Sequence, residues 1–292
     1  MNMRKIIYLL AALLLSSVAF AQTSDYQRRY NALLERVGPA GVGMQTLIEN
    51  WSKAEPDSPD MMQARFYFYL AKAQGNEVVG RKESKYLGMS PMFSLKDSTD
   101  ANIYYYELIK YDDDLFAESL KAADKLIAAY PDRLDFRFMK ANAYMSYERE
   151  SPDMALSNIM GLAYDYKTGK QKWYYKDSKS AEPALVDEER FAGMMQEYCY
   201  SFYVLGSPSS YEAFFKLSQR MNEYYPKNAD FIGNIGSYYM VVKKDYKTAL
   251  KYYDKALKIL PGSKDVLHNA ILASKMMKNT KLEMKYQKQL EK

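Results

Sequence analysis

The chain contains one histidine and one cysteine, side chains that often act as catalytic base and nucleophile. His268 lies between Leu267 and Asn269 in a segment with helical spacing, and no cluster of metal-binding residues surrounds it in sequence. Cys199 lies in the aromatic run Glu-Tyr-Cys-Tyr-Ser-Phe-Tyr, which predicts a buried and therefore unreactive thiol. We expect neither residue to be catalytic.

Three other motifs suggest chemistry but have ordinary structural explanations. The acidic triplet at 112–114 lacks the alternate spacing and the glycine of a calcium loop, and it fits the start of a helix. The glycine-rich run at 38–43 lacks the lysine of a phosphate-binding loop. The run Lys-Asp-Ser occurs at 96–98 and again at 176–178, and its repetition indicates that these residues form turns. The sequence therefore predicts no enzyme activity, no cofactor and no metal.

Tyrosine is the one marked excess in the composition. The chain has 29 tyrosines against 12 phenylalanines and 2 tryptophans, with clusters at 104–106 and 174–175. Because tyrosine combines an apolar ring with a polar tip, it suits contact with a peptide and stacking on a sugar equally well. Composition leaves both ligands open.

Composition also indicates which elements position these side chains. The chain is 48% hydrophobic, with only 13 glycines and 10 prolines, which favours helices over a sheet sandwich with many tight turns.

Residues 243–292 contain 13 lysines, five acidic residues and no arginine. Since arginine is the residue typical of nucleic-acid sites, we interpret the lysines as a solvated face and predict no nucleic-acid partner.

The N-terminus has the pattern of an export signal. Arg4 and Lys5 precede an apolar run from Ile6 to Leu15, and Ala19-Phe20-Ala21 supplies a small-x-small cleavage site. We predict a signal peptide at 1–21 and a mature chain that begins at Gln22. No cysteine near the cut offers a lipid attachment site, and no later run is long enough to span a membrane. The expected location is the periplasm or the exterior.

A repeat occupies the C-terminal third. The stretch Asp245–Pro261 places Ala249, Tyr253, Ala256 and the final proline at spacings that resemble the second helix of a tetratricopeptide repeat. Small residues let neighbouring helices approach, aromatic rings fill the space beside them, and proline ends the helix. We therefore expect Ala249 and Ala256 to be buried where helices cross.

The resemblance implies an all-α fold: a right-handed α-solenoid of stacked antiparallel helix pairs, about twelve helices in all. The repeat domain would cover 22–292, with its clearest repeats at about 190–292. Two stretches, at about 75–111 and 166–186, are too long for repeat turns and are rich in aromatic residues. We predict hairpin-like insertions there.

In tetratricopeptide proteins the first helices line a groove that holds a protein or peptide partner, so the resemblance implies a non-enzymatic scaffold in the cell envelope. Carrying over the groove positions gives a largely apolar set: Phe138, Asn142, Met145, Tyr198, Phe202, Leu205, Ser237, Met240, Leu267 and Ile271. The alternative is a module that binds carbohydrate or an envelope polymer through exposed rings of the insertions, with these candidates: Phe93, Trp173, Tyr174 and Tyr175.

Overall fold

The computed structural model describes residues 24–177, 180 and 182–291, so the predicted signal peptide at 1–21 lies outside the described residues. The described part is mostly helical and divides into two compact units. The first unit consists of the chain up to Ala73 together with Asp114–Ala122, and the second consists of Gln74–Asp113 and Ala123–Lys292. No helix among these residues is both long and apolar enough to cross a membrane.

The helices of the described residues, numbered in chain order, are α1 (Asp25–Val37), α2 (Met44–Ala54), α3 (Pro59–Ala73), α4 (Asp113–Ala129), α5 (Leu134–Tyr147), α6 (Asp153–Thr168), α7 (Glu188–Leu205), α8 (Pro208–Tyr224), α9 (Ala229–Val241), α10 (Tyr246–Ile259), α11 (Lys264–Met276) and α12 (Thr280–Leu290). The strands are β1 (Gln74–Arg81), β2 (Phe93–Lys96), β3 (Asn102–Tyr111), β4 (Tyr174–Tyr175) and β5 (Ala184–Leu185).

Capping side chains fix where several helices begin. The Asp187 carboxylate accepts a hydrogen bond from the backbone N–H of Arg190 at 2.8 Å, which caps α7. The Asp245 carboxylate accepts one from the N–H of Thr248 at 3.0 Å, which caps α10. These bonds satisfy backbone donors that have no partner inside the helix. At the other end, α10 stops just before Pro261, as the sequence predicts.

The first unit has its own apolar core. Helices α1 and α2 pack against each other, and α2 packs against α3. Trp51 is buried at the centre, with its ring centroid 5.8 Å from that of Tyr30. Met44, Ala64 and Phe68 complete the interior. This core joins residues of three consecutive helices, so the unit needs no strand to close it.

The first insertion is a three-stranded antiparallel sheet in the order β1-β3-β2, where a hairpin-like insertion was expected. The third strand arises because β3 pairs with β1 over residues 104–111 and with β2 over residues 102–105. One sheet face carries Tyr106, which is buried and whose hydroxyl donates to the Glu83 carbonyl at 2.7 Å. Val78, Phe93 and Leu95 are exposed.

The second insertion follows helix α6, which ends at Thr168. The Tyr166 ring in the last turn of this helix is buried and stacks on that of Phe191 with the centroids 3.6 Å apart. After this helix the chain forms the two-residue strands β4 and β5. The Val186 N–H donates to the Trp173 carbonyl at 2.9 Å beside them, so the hairpin is tied to the core through a buried tryptophan.

The C-terminal helices α7–α12 pack in sequence, each against the next, and α9 also contacts α7 and α11. Ala249 and Ala256 are fully buried, which confirms the prediction made from the repeat. The contact between α9 and α10 is close because a Cβ at Gly236 would lie 2.7 Å from the Tyr253 ring. A Cβ at Gly193, on α7, would meet nothing within 4 Å. Glycine is therefore required by packing at 236 and not at 193.

Candidate functional site

A cavity of about 370 Å³ opens along the first helices of the C-terminal pairs. It runs over α7, α9 and α11, of which α9 contacts both of the others, and Phe214 of α8 also lines it. Its lining residues are Gln196, Tyr200, Tyr203, Phe214, Asp230, Gly233, Asn234, Ser237, Met240, Asp265, Val266, His268 and Asn269. Most of these side chains are polar or tyrosine, so the cavity suits a ligand with hydrogen-bonding groups.

Two amide side chains meet at the wall of this cavity. The Asn234 Nδ2 donates to the Gln196 Oε1 at 2.8 Å, and the Gln196 Nε2 donates to the Asn234 Oδ1 at 3.3 Å. Both side chains are half-buried. Gln196 keeps a second donor hydrogen and a second acceptor lone pair, whereas Asn234 also hydrogen-bonds the Cys199 thiol and keeps one acceptor lone pair. The pair therefore presents donors and acceptors together, which is the combination that a peptide backbone also offers.

A second set of hydrogen-bonded polar side chains connects α9 with α11. The Ser237 hydroxyl donates to the Gly233 carbonyl at 3.1 Å and lies 3.2 Å from the Tyr253 hydroxyl. The Asn269 Nδ2 donates to the Ser237 Oγ at 3.4 Å. Burial raises the pKa of Tyr253, so its hydroxyl stays neutral and serves as a hydrogen-bonding group. This network holds the Asn269 amide at the cavity surface.

Two carboxylates lie in the cavity lining. Asp230 is in the first turn of α9, and Asp265 is in the first turn of α11. Burial raises the pKa of the Asp230 carboxyl, and the nearby charge of Asp265 raises it further. Within the described residues neither carboxylate forms an ion pair, and no lysine or arginine lines this cavity. The exposed His268 is the cavity's one imidazole.

Most of the groove residues predicted from the repeat do not face this cavity. Only Ser237 and Met240 line it. Helical residues turn by about 100° each, and the apolar positions chosen point between packed helices instead of into the groove. The predicted contacts that are buried away from the cavity are Phe138, Tyr198, Phe202, Leu205 and Leu267. Met145 and Ile271 are half-buried and also lie outside it.

The remaining predicted contact, Asn142 on α5, forms a separate arrangement with Phe138 and Tyr198. The Phe138 ring stacks on the Tyr198 ring with the centroids 5.2 Å apart. The Tyr198 hydroxyl donates to the Asn142 Oδ1 at 2.7 Å. Asn142 is exposed, so its amide is the accessible part of this group. Phe138 and Tyr198 position that amide and are not themselves surface residues.

Several polar residues of the cavity were not predicted from the sequence, although they recur at the repeat period. Asp230 and Asp265 are 35 residues apart, and Asn234 and Asn269 have the same separation. Gln196 lies 34 residues before Asp230. Polar residues that recur at the repeat period mark one face of successive first helices. The period therefore identifies the cavity face when polar residues are followed instead of apolar ones.

Cys199 lies on the opposite side of α7 from solvent. Its side chain is fully buried, and burial raises the pKa of the thiol to about 12. The Ser218 hydroxyl donates to the Cys199 Sγ at 3.5 Å. Among the described residues, no three histidine, cysteine, aspartate or glutamate side chains are grouped so that they could hold a metal ion. Cys199 therefore belongs to the core.

Trp173, the tryptophan of the alternative carbohydrate site, is not accessible to a ligand. Trp173 is buried, with the Arg137 guanidinium 5.1 Å from its ring centroid, so it offers no stacking surface. Tyr174 and Tyr175 are half-buried. Phe93 is exposed, but one face of its ring stacks on Tyr105, with centroids 4.8 Å apart. The four candidate rings do not form one exposed platform.

Comparisons with known proteins give low similarity. No protein-family model and no curated protein matches the chain. A crystal structure of MamA matches with a TM-score of 0.33 and 17% identity, covering 61% of this chain and 88% of that chain. A second MamA structure matches with a TM-score of 0.34 and 18% identity, covering 61% and 82%. Function therefore has to be inferred from the cavity itself.

Proposed function

We propose that this protein is an exported scaffold of the tetratricopeptide-like type, which acts by binding an extended segment of a protein partner. The segment would lie across the cavity formed by α7, α9 and α11. The repeat residues of Asp245–Pro261 and the close contact at Gly236 support a solenoid of helix pairs for this part of the chain. Such stacking brings equivalent faces of successive first helices side by side.

The observation that carries the proposal is the line of amide side chains from three successive first helices. Gln196, Asn234 and Asn269 all line the cavity, and together their amides offer both donors and acceptors of hydrogen bonds. An extended peptide presents N–H and C=O groups along its length, so such a line can bind its backbone whatever the sequence. Tyr200 and Tyr203 on the same wall offer apolar contact to its side chains.

The polar groups in the lining indicate that hydrogen bonds contribute to binding of the partner. The sequence indicated a groove in which apolar contacts dominate, whereas the cavity combines apolar surface with amides, hydroxyls and carboxylates. We therefore propose that main-chain hydrogen bonds position the partner. The unpaired Asp230 and Asp265 add a preference for a segment that carries positive charge near their end of the cavity.

Photo-crosslinking tests the location of the partner. A photoreactive amino acid at Tyr200, which is exposed at the cavity, is expected to give a discrete adduct in the native envelope, identifiable by mass spectrometry. The matched control is Tyr164 on α6, which is equally exposed and lies outside the cavity. Equal adducts at both positions, or an adduct only at Tyr164, would place the partner elsewhere.

Affinity for the purified partner then tests the amides. Asn234→Ala is expected to weaken binding by up to about tenfold, because it removes a hydrogen bond to the partner worth roughly 0.5–1.5 kcal/mol and also the group that orients the Gln196 amide. The control is Asn158→Ala. Asn158 is on α6, outside the cavity, and its amide donates to the Met154 carbonyl and to no other group of the described residues. An affinity of the Asn234→Ala protein within twofold of wild type contradicts the role of the amide line.

Export is part of the proposal, on the strength of the N-terminal pattern at Arg4, Lys5 and the run up to Ala21. We expect the protein isolated from an envelope fraction to begin at Gln22 when its N-terminus is sequenced. An intact Met1 on protein from that fraction would refute cleavage. Recovery of the protein only from the cytoplasm would refute export.

A further inference from the structure

A second cleft lies in the first unit, between α1 and α2, and it has the opposite charge character to the cavity described above. Its volume is about 510 Å³. Helix α1 contributes one wall and α2 the other, and the lining residues are Arg29, Ala32, Leu33, Arg36, Gly43, Thr46, Leu47 and Asn50. No acidic side chain is among them.

The two arginines give the cleft its charge. Arg29 and Arg36 are seven residues apart on α1, so they lie on one face with about 10 Å between them along the helix axis. Arg29 is 3.9 Å from the Asp25 carboxylate in a mostly exposed pair, which is worth little. Arg36 forms no ion pair within the described residues. The Arg29 guanidinium also lies 5.5 Å from the Tyr26 ring centroid, a contact that is weak at an exposed site. Both guanidinium groups can therefore still bind an anion.

The opposite wall adds polar groups over an apolar floor. Thr46 and Asn50 are one turn apart on α2, both are exposed, and neither side chain is hydrogen-bonded within the described residues. Between the walls lie Leu33, which is half-buried, and Leu47, which is buried. A ligand that fills the cleft must therefore combine anionic groups with an apolar group between them.

We propose that this cleft binds an acidic segment of another polypeptide, in which two carboxylates about 10 Å apart flank an apolar side chain. A polyproline II segment has three residues per turn and rises about 3.1 Å per residue, so acidic residues three positions apart lie on one side about 9 Å apart and match the spacing of Arg29 and Arg36. Guanidinium groups pair with carboxylates through two parallel hydrogen bonds. A polyphosphate carries no apolar group for Leu33 and Leu47, so a polypeptide fits better. This inference is independent of the function proposed for the cavity in the second unit.

Fluorescence anisotropy with synthetic peptides tests the inference on the full chain. The probe is a labelled twelve-residue peptide with two glutamates three positions apart and leucine between them. We expect it to bind, and we expect the Arg29→Gln, Arg36→Gln double variant to bind at least tenfold more weakly. Arg28→Gln is the matched control, because Arg28 is exposed on the same helix and lies outside the cleft. Its affinity should stay within twofold of wild type.

Four results would overturn the inference. The first is no binding of the probe at millimolar concentration. The second is an equal loss of affinity in Arg28→Gln, which would mean unspecific attraction to a basic surface. The third is equal binding of a peptide with glutamine at both glutamate positions. The fourth is stronger binding of inorganic polyphosphate than of the probe, which would assign the cleft to phosphate groups. Unchanged melting temperatures of all the variants would establish that the arginines act on the probe and not on the fold.

Discussion

Replacing Tyr253 by alanine is expected to lower the free energy of unfolding by about 3–5 kcal/mol, the range for large aromatic residues in a core. Tyr253 is fully buried, and its ring fills the space that Gly236 leaves between α9 and α10. Its hydroxyl also lies 3.2 Å from that of Ser237. Removing the ring would leave a cavity at the closest helix contact of the repeat. Urea unfolding followed by circular dichroism measures the loss.

Two further variants separate the contributions to this effect. Tyr253→Phe keeps the ring and removes the hydroxyl, so it should cost only about 1 kcal/mol. Tyr164→Ala removes an exposed tyrosine from a helix and should change the free energy by less than about 0.5 kcal/mol. A Tyr253→Ala protein that unfolds within 1 kcal/mol of wild type would show that the ring does not join the two helices.

Replacing Ala256 by leucine is the second change with a large expected effect. Ala256 is fully buried in a cluster that also contains Leu257, Val266 and Ala270. A larger side chain there has no space, and overpacking of this kind typically costs about 1–3 kcal/mol. We expect a lower melting temperature, measured by differential scanning calorimetry.

The control for this change is the neighbouring Lys255→Ala. Lys255 is exposed, and its ammonium group lies 5.1 Å from the Tyr252 ring centroid. Loss of such an exposed contact is worth about 0.5–1 kcal/mol at most. If Ala256→Leu melts at the wild-type temperature, or no lower than Lys255→Ala, the packing assigned to α10 is wrong.

The helices and their packing in the C-terminal third could be predicted from the sequence because the determinants are local. Ala249 and Ala256 mark the buried side of α10, and Pro261 marks its end. The sheet of the first insertion was harder, because the pairing of β2 with β3 depends on residues that no repeat spacing fixes. The aromatic run at 173–175 suggested exposed rings, but Trp173 packs inward.

The candidate site was only partly predictable, for a physical reason. Choosing apolar residues on the first helices selected Phe202 and Leu267, which pack between helices. Which side of a first helix remains open depends on where the following pair lies, and that is a property of tertiary packing. Ser237 and Met240 of the predicted set do line the cavity, on the helix whose packing register Gly236 fixes. Polar residues at the repeat period, such as Asp230 and Asp265, give the missing information.

Because the chain's single cysteine is buried, the reactivity of its thiol reports on the motion of the helix that carries it. Cys199 is fully buried and its thiol has a pKa raised to about 12, so a water-soluble thiol reagent can modify it only after α7 opens. The rate of modification therefore measures how often that helix opens, without any engineered label. Since α7 also supplies Gln196 and Tyr200 to the cavity, a bound partner that stiffens the helix would be registered as a slower reaction of the thiol.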